Sequence, residues 1–150
     1  MTSKLILNEK YIVDKINIDD YKSFINVHMQ LENTIKFTEN KFIELINDIV
    51  NTKGIYVCIR MKSNNEIIGC AKFFIDIKFG KNKGFIDDVV IDKNHRDRKL
   101  GTYLINYLLE YASKQNCYVC NIICKEENKN FYIKQGFKND RILMRYIIND

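Results

Sequence analysis

The sequence predicts an α+β domain with a mixed β-sheet, and three observations lead to this prediction. Short runs rich in β-branched residues alternate with longer runs that carry apolar residues at helical spacing. One pair of strands is joined by a tight turn, Ser63–Glu66, whereas another pair is separated by a whole helix and must therefore run parallel. A chain of 150 residues with no proline, repeat or low-complexity linker is expected to form a single domain over residues 1–150.

The first half of the chain is predicted to form a strand, two helices and a hairpin. The expected elements are a strand over Lys4–Lys15, a helix capped by Asp19 or Asp20, a helix capped by Thr38 and ended by Gly54, and strands over Ile55–Met61 and Ile67–Ile77. His28 lies on the first of these helices and is interpreted as packed or solvated rather than catalytic.

The second half contains the stretch around which the chain is organised. A strand is predicted over Phe85–Ile91, and a long helix begins near Leu100, where apolar side chains recur on one helical face. These side chains are Leu100, Tyr103, Leu104, Tyr107, Leu108 and Tyr111. The remaining predicted elements are a strand over Tyr118–Cys124, a short helix over Lys129–Gln135 capped by Asn128 and closed by Gly136, and a final strand over Arg141–Ile148.

Composition restricts the class of protein. No apolar run reaches the ~18 residues that span a membrane, and the N-terminus lacks the form of a signal peptide, so a cytoplasmic protein is expected. The formal net charge of +5 is compatible with an anionic ligand, but no motif indicates nucleic-acid binding. Five cysteines without a secretion signal are interpreted as structural, and no metal site is expected because ligand spacing is missing.

The loop between the central strand and the long helix is basic. It contains Arg96, Arg98 and Lys99 directly before the predicted helix. A helix N-terminus offers unpaired N–H groups and the positive end of the helix dipole, so this loop is a ready site for a phosphorylated ligand. Taken alone, the same segment is also compatible with a solvated basic turn.

Two motifs and the order of the elements resemble the GNAT (Gcn5-related) N-acetyltransferases. Residues Arg96–Gly101 are similar to the pyrophosphate loop of that superfamily, Arg/Gln-x-x-Gly-x-Gly/Ala. The signature N-x-x-F-Y-x-x-x-G-F matches at Asn128, Phe131, Tyr132, Gly136 and Phe137. Within the superfamily, Phe85–Ile91 and Asn116–Tyr118 resemble the acidic-pair strand and the N-C-Y segment of the glucosamine 6-phosphate N-acetyltransferases.

This resemblance implies the GNAT fold, a mixed central sheet with a splayed strand pair and flanking helices. It implies acetyl-CoA as co-substrate and direct acetyl transfer, in a ternary complex, to glucosamine 6-phosphate for UDP-N-acetylglucosamine biosynthesis. It also implies a homodimer. Two alternatives stay open: a GNAT enzyme acting on another amine (a protein N-terminus, a lysine or a polyamine), and a regulatory domain that binds acetyl-CoA without turnover.

The resemblance assigns candidate site residues. The cofactor-binding set is Val89, Val90, Ile91, Arg96, Asp97, Arg98, Lys99, Leu100, Gly101, Asn128 and Tyr132. Tyr132 is expected near the departing sulfur and Asp88 near the attacking amine, which makes these two residues the catalytic candidates. The substrate-binding set is Lys78, Asp87, Asp88, Val89 and Arg145, the last of which is expected to reach the site of a partner subunit.

Some positions depart from the subfamily pattern. Lys99 stands where the loop pattern prefers glycine, and Ile123 stands where the subfamily has a carboxylate, which leaves the general base unassigned. Glu32 replaces a phosphate-contacting threonine, for which Thr34 is the nearby substitute. Asp87 and Asp88 are adjacent on a predicted strand, so their side chains are expected on opposite faces of the sheet.

Overall fold

The computed structural model describes residues 5–31 and 35–148, with side chains from Leu7 onward. The strands are β1 Leu5–Ile6, β2 Tyr11–Lys15, β3 Ile55–Met61, β4 Ile67–Asp76, β5 Asn82–Ile91 and β6 Cys117–Ile122. The helices are α1 Tyr21–His28, α2 Glu39–Asn51, α3 Leu100–Lys114 and α4 Lys129–Lys134. Within the described ranges the strands form one sheet in the order β1-β2-β3-β4-β5-β6. All neighbours are antiparallel except β5 and β6, which confirms the mixed α+β fold.

None of the described helices has the length and apolar character that crossing a membrane would require.

The first predicted strand is wrong as a single element. The side-chain oxygen of Asn8 accepts hydrogen bonds from the backbone N–H groups of Lys10 and Tyr11, which turns the chain back on itself. As a result β1 pairs antiparallel with β2 instead of continuing into it.

The predicted strand over Arg141–Ile148 is also wrong, because this segment has no regular secondary structure. A strand needs a backbone edge to pair with, and among the described strands β6 pairs only with β5. The apolar side chains of the segment are exposed instead: Ile142, Leu143, Met144, Tyr146, Ile147 and Ile148. Arg145 is therefore exposed on an unpaired segment and not held on a strand.

The sheet buries an apolar cluster on each of its faces. On one face α3 packs against the sheet, and its predicted apolar residues are buried apart from Tyr103, which is half-buried. On the other face α1 and α2 pack through Phe24 and Phe42 against a set that includes Tyr56 and Cys70. Since α3 begins at Leu100 as predicted, the basic loop lies directly at its N-terminus.

The start of α1 is tied to the sheet by a buried ion pair. Arg60 on β3 donates to both carboxylate oxygens of Asp20, at 2.7 and 2.5 Å, and the two residues are 2% and 8% exposed. Asp20 makes no side-chain cap bond to α1, so its predicted capping role is wrong; it accepts instead from the backbone N–H of Asn17. Ser23 of α1 accepts a hydrogen bond from the backbone N–H of Ile67. These contacts fix α1 over β3 and β4.

The ends of α2 follow the prediction in part. Thr38 caps the helix, because its hydroxyl accepts a hydrogen bond from the backbone N–H of Lys41. At the other end the left-handed residue is Lys53, with φ of 58°, and not the predicted Gly54. A Cβ on Gly54 would lie 2.9 Å from the carbonyl oxygen of Phe73, so close packing is the physical reason for a glycine there.

Candidate active site

A gap opens between β5 and β6, the last two strands of the described sheet. The parallel pairing of the two strands ends at Ile86 and Ile122, whereas β5 continues to Ile91. Residues 87–91 of β5 therefore present a backbone edge that β6 does not cover. This confirms the predicted splayed pair, and an extended ligand can pair with such an edge as an added strand would.

A β-bulge lies at the opening of this gap. Cys70 pairs with Val90 and Lys72 pairs with Asp87, so Ala71 alone faces both Asp88 and Val89. Asp88 adopts a left-handed conformation with φ of 51°, which is strained for a residue with a side chain.

The bulge brings two carboxylates together. The Nζ atom of Lys72 lies 3.2 Å from a carboxylate oxygen of Asp87 and 2.9 Å from one of Asp88. The expectation that Asp87 and Asp88 face opposite sides is therefore wrong, because the bulge interrupts the alternation of a regular strand.

Three side chains from different elements converge on a single oxygen of Asp88, its Oδ2 atom. The Tyr56 hydroxyl donates to it at 3.0 Å, Lys72 Nζ lies at 2.9 Å and His28 Nε2 lies at 3.9 Å. Burial raises the pKa of Asp88, but the neighbouring His28, Lys72 and Tyr56 outweigh burial and hold this pKa well below its usual range. Asp88 is therefore a persistent anion and a weak base. Its other oxygen, Oδ1, accepts no hydrogen bond from a described residue.

His28 lies at the edge of this cluster. Its ring packs at centroid distances of 4.9 Å from Phe24 and 5.6 Å from Phe37, which confirms the interpretation of a packed histidine. Its Nδ1 atom is buried and has no hydrogen-bond partner among the residues described.

The backbone of the basic loop is left-handed at two positions. Asp97 and Lys99 are left-handed, with φ of 61° and 60°, so Lys99 adopts the conformation for which the pattern prefers glycine. Lys99 stands at the N-cap of α3, and because its ammonium group can only donate, it leaves the N–H groups of the first helical turn without a side-chain cap. Two arginines of the loop are tethered: Arg98 donates to the Tyr11 hydroxyl at 3.0 Å, and Arg96 donates to the carbonyl oxygen of Ile91 at 3.2 Å.

The side-chain amide of Gln30 joins the end of α1 to the start of the loop. Its Nε2 donates to the Asp92 carboxylate at 2.7 Å, and its Oε1 accepts from the backbone N–H of Lys93 at 2.9 Å. Asp92 also lies 3.0 Å from Nδ1 of His95. The helix on one side of the sheet and the loop that leads to the other side are thus connected by one residue.

The short helix α4 places Tyr132 beside the gap. Its ring packs on Phe131 and Phe137 at centroid distances of 4.9 and 5.9 Å, and its hydroxyl makes no hydrogen bond to a described residue. Burial, with smaller contributions from Cys124 and Asp87, raises the pKa of Tyr132 to about 12. Tyr132 therefore stays protonated at neutral pH, and its hydroxyl is available to a ligand atom.

One predicted contact of α4 is absent, and another contact of this helix explains a glycine of the loop. Asn128 makes no side-chain cap bond, so its predicted capping role is wrong and its amide remains available for another contact. A Cβ on Gly101 would lie 3.2 Å from the ring of Phe131. Glycine at this position of the loop thus allows α4 to pack against the beginning of α3.

Some candidate substrate residues are not brought to the acidic pair. The Nζ of Lys78 pairs with Asp76 at 2.8 Å, at the end of β4. Asp76 faces Lys83 on β5, and four residues along a strand separate Lys83 from Asp87 by about 13 Å, so Lys78 lies away from the acidic pair. Arg145 lies on the exposed C-terminal segment, and Glu32 and Thr34 lie outside the described residues. Sequence reasoning missed Lys72, Tyr56 and Gln30; the one available signal was a single lysine within the apolar run of β4.

Comparison with known proteins identifies the family of this fold and site. The profile of the Acetyltransferase (GNAT) family matches residues 19–137. The chain belongs to the GNAT acetyltransferase family. The predicted resemblance to this superfamily is thereby confirmed. The enzyme is an acyltransferase, and acetyltransferases of this family use acetyl-CoA.

Similar proteins cover nearly the whole acetyltransferase. Glucosamine 6-phosphate N-acetyltransferase 1 of Dictyostelium discoideum is 33% identical over 135 residues, which is 86% of this chain and 85% of that protein. Glucosamine 6-phosphate N-acetyltransferase of Arabidopsis thaliana is 30% identical over 142 residues, or 91% and 95% of the two chains. The crystal structure of the Arabidopsis thaliana enzyme superimposes with a TM-score of 0.86 at 27% identity, covering 94% of this chain and 100% of that one.

Proposed function

We propose that this acetyltransferase transfers the acetyl group of acetyl-CoA to the amine of glucosamine 6-phosphate, giving N-acetylglucosamine 6-phosphate. The observation that carries this proposal is the acidic pair at the bulge, where Asp88 keeps an open carboxylate oxygen beside the gap between β5 and β6. The names of the Dictyostelium discoideum and Arabidopsis thaliana relatives, which match over most of their length, support this choice of acceptor.

The donor occupies the gap and the basic loop. The extended pantetheine arm of acetyl-CoA pairs with the open edge of β5 at Val89, Val90 and Ile91. The pyrophosphate binds the N–H groups of residues 96–101 at the N-terminus of α3, where the positive end of the helix dipole and the charges of Arg96, Arg98 and Lys99 favour an anion. Asp97, Leu100 and Gly101 contribute backbone to this cradle, and Asn128 contacts the cofactor with its amide.

The chemistry is one direct transfer. The neutral amine attacks the thioester carbon, a C–N bond forms and the C–S bond breaks. Asp88 orients the amine through its open oxygen, with Asp87 beside it, and the backbone N–H near Val89 stabilises the oxyanion of the tetrahedral intermediate. Tyr132 donates its hydroxyl proton to the departing thiolate and regains one from the nitrogen, which must lose a proton to become an amide.

A homodimer completes the site in this proposal. The exposed residues 141–148 are apolar on both sides of Arg145, as expected of a strand covered on both faces, and β6 exposes Tyr118 and Val119 at the edge of the described sheet. A cavity of about 750 Å³ lies between β6, α4 and the beginning of this segment. Pairing of this segment with a second copy forms the missing last strand and carries Arg145 toward the sugar phosphate in the partner's site.

The acceptor is tested by following the release of free thiol from acetyl-CoA. Glucosamine 6-phosphate, glucosamine, spermidine and a lysine-containing peptide are compared at equal concentration. We expect glucosamine 6-phosphate to be used with the highest kcat/KM. Release with the peptide or spermidine but not with the sugar phosphate supports the alternative, a GNAT enzyme acting on another amine, whereas acetyl-CoA binding without release from any amine supports the regulatory domain.

The shared site is tested by mixing two inactive variants. Arg145→Ala removes the residue lent to the partner, and Tyr132→Phe removes the proton donor of the chain's own site. After the two variants are denatured and refolded together, mixed dimers contain one site in which both residues are intact. Recovery of activity supports the shared site; a monomer in light scattering, or no recovery despite mixed dimers, contradicts it.

A further inference from the structure

The ammonium group of Lys72 holds a position that neither the family signature nor the reaction accounts for. Lys72 bridges Asp87 and Asp88 at 3.2 and 2.9 Å, and its side chain is only 22% exposed. It lies on the same face of the sheet as α1, between Cys70 and Phe74 on β4. A permanent cation therefore stands beside the carboxylates that receive the acceptor amine in the proposed function.

The acceptor amine meets an electrostatic conflict at this site. It arrives as an ammonium ion, which two carboxylates bind well, but only the neutral amine attacks a thioester. Two uncompensated negative charges would stabilise the ammonium proton, whereas a neighbouring cation destabilises it. The strand on the other side of the gap ends in Ile122 followed by Ile123, neither of which accepts a proton.

We propose that Lys72 is an electrostatic tuning residue of the acceptor site, which lowers the net charge of the Asp87–Asp88 pair from −2 to −1 and so favours the neutral, nucleophilic form of the bound amine. This inference rests on the proposed placement of the amine at Asp88. Tyr56 and Lys72 both contact Oδ2, so the amine is left with Oδ1, within a few ångströms of the Lys72 ammonium. The amine proton leaves to bulk water before the attack, and Lys72 transfers no proton itself.

The groups around Lys72 keep it charged and in place. On β5 it faces Asp87 and Asp88; the Tyr56 hydroxyl on β3 and His28 at the end of α1 approach the same Asp88 oxygen. Cys70 is the nearest ionisable residue on the face of β4 that carries Lys72, and burial raises its pKa well above the usual value, so it stays neutral. Burial lowers the pKa of Lys72, but its two carboxylate partners outweigh burial and raise it.

The test is the pH profile of kcat, with acetyl-CoA and the acceptor amine both saturating, because kcat reports the ionisation of groups in the enzyme–substrate complex. In Lys72→Met the acid limb, where the rate rises as the bound amine loses its proton, is expected to move to higher pH by about one unit. At pH values below the limb the variant should therefore be about tenfold slower than the wild type, and above the limb it should be nearly as fast. Lys72→Arg keeps the cation and is expected to keep the wild-type limb within about 0.3 units. The melting temperature of each variant shows that it is folded under the assay conditions.

A double variant separates charge from structure. Lys72→Met combined with Asp87→Asn restores the net charge of −1, so the limb is expected to return toward the wild-type position. If Lys72→Met lowers kcat equally at every pH, or the limb does not return in the double variant, the proposal is wrong.

Comparison of two acceptors excludes a role in phosphate binding and distinguishes failure of this inference from failure of the proposed function. Suppose that Lys72→Met has a lower kcat/KM for glucosamine 6-phosphate but not for glucosamine, and that the acid limb does not move. That result would identify Lys72 as a phosphate ligand and overturn the proposal. If the wild-type enzyme rejects the sugar phosphate, the proposed function fails, and the same pH series with the amine that it does acetylate tests Lys72. An enzyme that acetylates no amine overturns both.

Discussion

The two faces of the sheet are built in different ways. We call the face that carries α3 the donor face and the face that carries α1 the acceptor face, after their roles in the proposed function. On the donor face, α3 packs through a continuous apolar stripe, and the basic loop lies at its N-terminus. On the acceptor face, α1 is held by the buried Arg60–Asp20 pair, and Asp88 is surrounded by side chains from β3, β4 and α1. Both faces have an apolar cluster, but the acceptor face adds buried, compensated charges to it, whereas the donor face adds a loop that is defined by its backbone conformation.

This difference matches what each face binds in the proposed function. A pyrophosphate is recognised by backbone N–H groups and a helix dipole, which many side-chain sequences provide. An amine needs carboxylates of a fixed net charge, and the cost of burying such charges must be offset by specific partners. Side chains of the acceptor face are therefore coupled to one another, so changes there should be larger and less additive than changes on the donor face.

The largest effect is expected from Arg60→Met, which leaves the carboxylate of Asp20 buried without its partner. Loss of one member of a buried ion pair costs about 3–5 kcal/mol, measured as the free energy of unfolding in urea. Because Arg60 fixes α1, the KM of the acceptor amine should rise more than the KM of acetyl-CoA. The control Lys62→Met removes an exposed cation directly after β3 and should leave the free energy of unfolding and both KM values unchanged. An equal rise of the two KM values in Arg60→Met would show that the faces are not independent.

Tyr132→Phe should lower kcat by about 100-fold and leave the KM of acetyl-CoA within about twofold, because the ring still packs and only the proton donor is lost. Tyr118→Phe, at an exposed tyrosine of β6, is the matched control. An equal loss in kcat and in acetyl-CoA affinity would instead mean that Tyr132 is structural.

The ionisation of Tyr132 gives a second measurement. Since burial raises its pKa to about 12, its hydroxyl keeps its proton well above neutral pH. The kcat of the wild-type enzyme should therefore show no decrease due to Tyr132 up to about pH 10. A decrease in kcat near pH 9 that disappears in Tyr132→Phe would contradict this assignment.

The contrast between the faces also explains what the sequence could predict. The loop, the apolar stripe of α3 and the N-x-x-F-Y signature are local patterns, and the sequence alone predicts each of them. The bulge at Asp88 is not local, because it depends on the register between β4 and β5. The bulge turns the Asp88 carboxylate to the same face as Asp87 and brings Lys72 into contact with both carboxylates. The sequence therefore predicts the acceptor site only as an acidic pair.

The strand prediction over residues 141–148 is wrong for a related reason. The composition of residues 141–148 favours a strand, but a strand also requires a partner edge, which local sequence does not specify. Asn8 shows the reverse case, in which one side chain turns a segment that alternates like a single strand into two.

Gln30→Ala tests whether the faces communicate. Gln30 makes two hydrogen bonds to the start of the loop, and loss of their net contribution, about 1–1.5 kcal/mol, corresponds to a roughly tenfold higher KM for acetyl-CoA. Gln115→Ala, at the C-terminal end of α3, is the control and should leave this KM unchanged. If Gln30→Ala lowers the melting temperature without changing either KM, the connection supports only the fold.

The smallest effect is expected from Lys99→Gly, which separates backbone conformation from charge in the loop. Glycine relieves a left-handed conformation that costs a side-chain residue roughly 1 kcal/mol, so the free energy of unfolding should increase by up to that amount. The KM of acetyl-CoA should rise about threefold at low salt because one cation is lost, and the difference should shrink as salt screens the charge. Lys53→Gly is the matched control, since Lys53 is also left-handed, with φ of 58°, but lies at the end of α2. Lys53→Gly should show the same gain in stability with no change in the KM of acetyl-CoA. A larger rise in this KM for Lys99→Gly that does not depend on salt would mean that the lysine side chain shapes the pyrophosphate cradle and does not merely add charge to it.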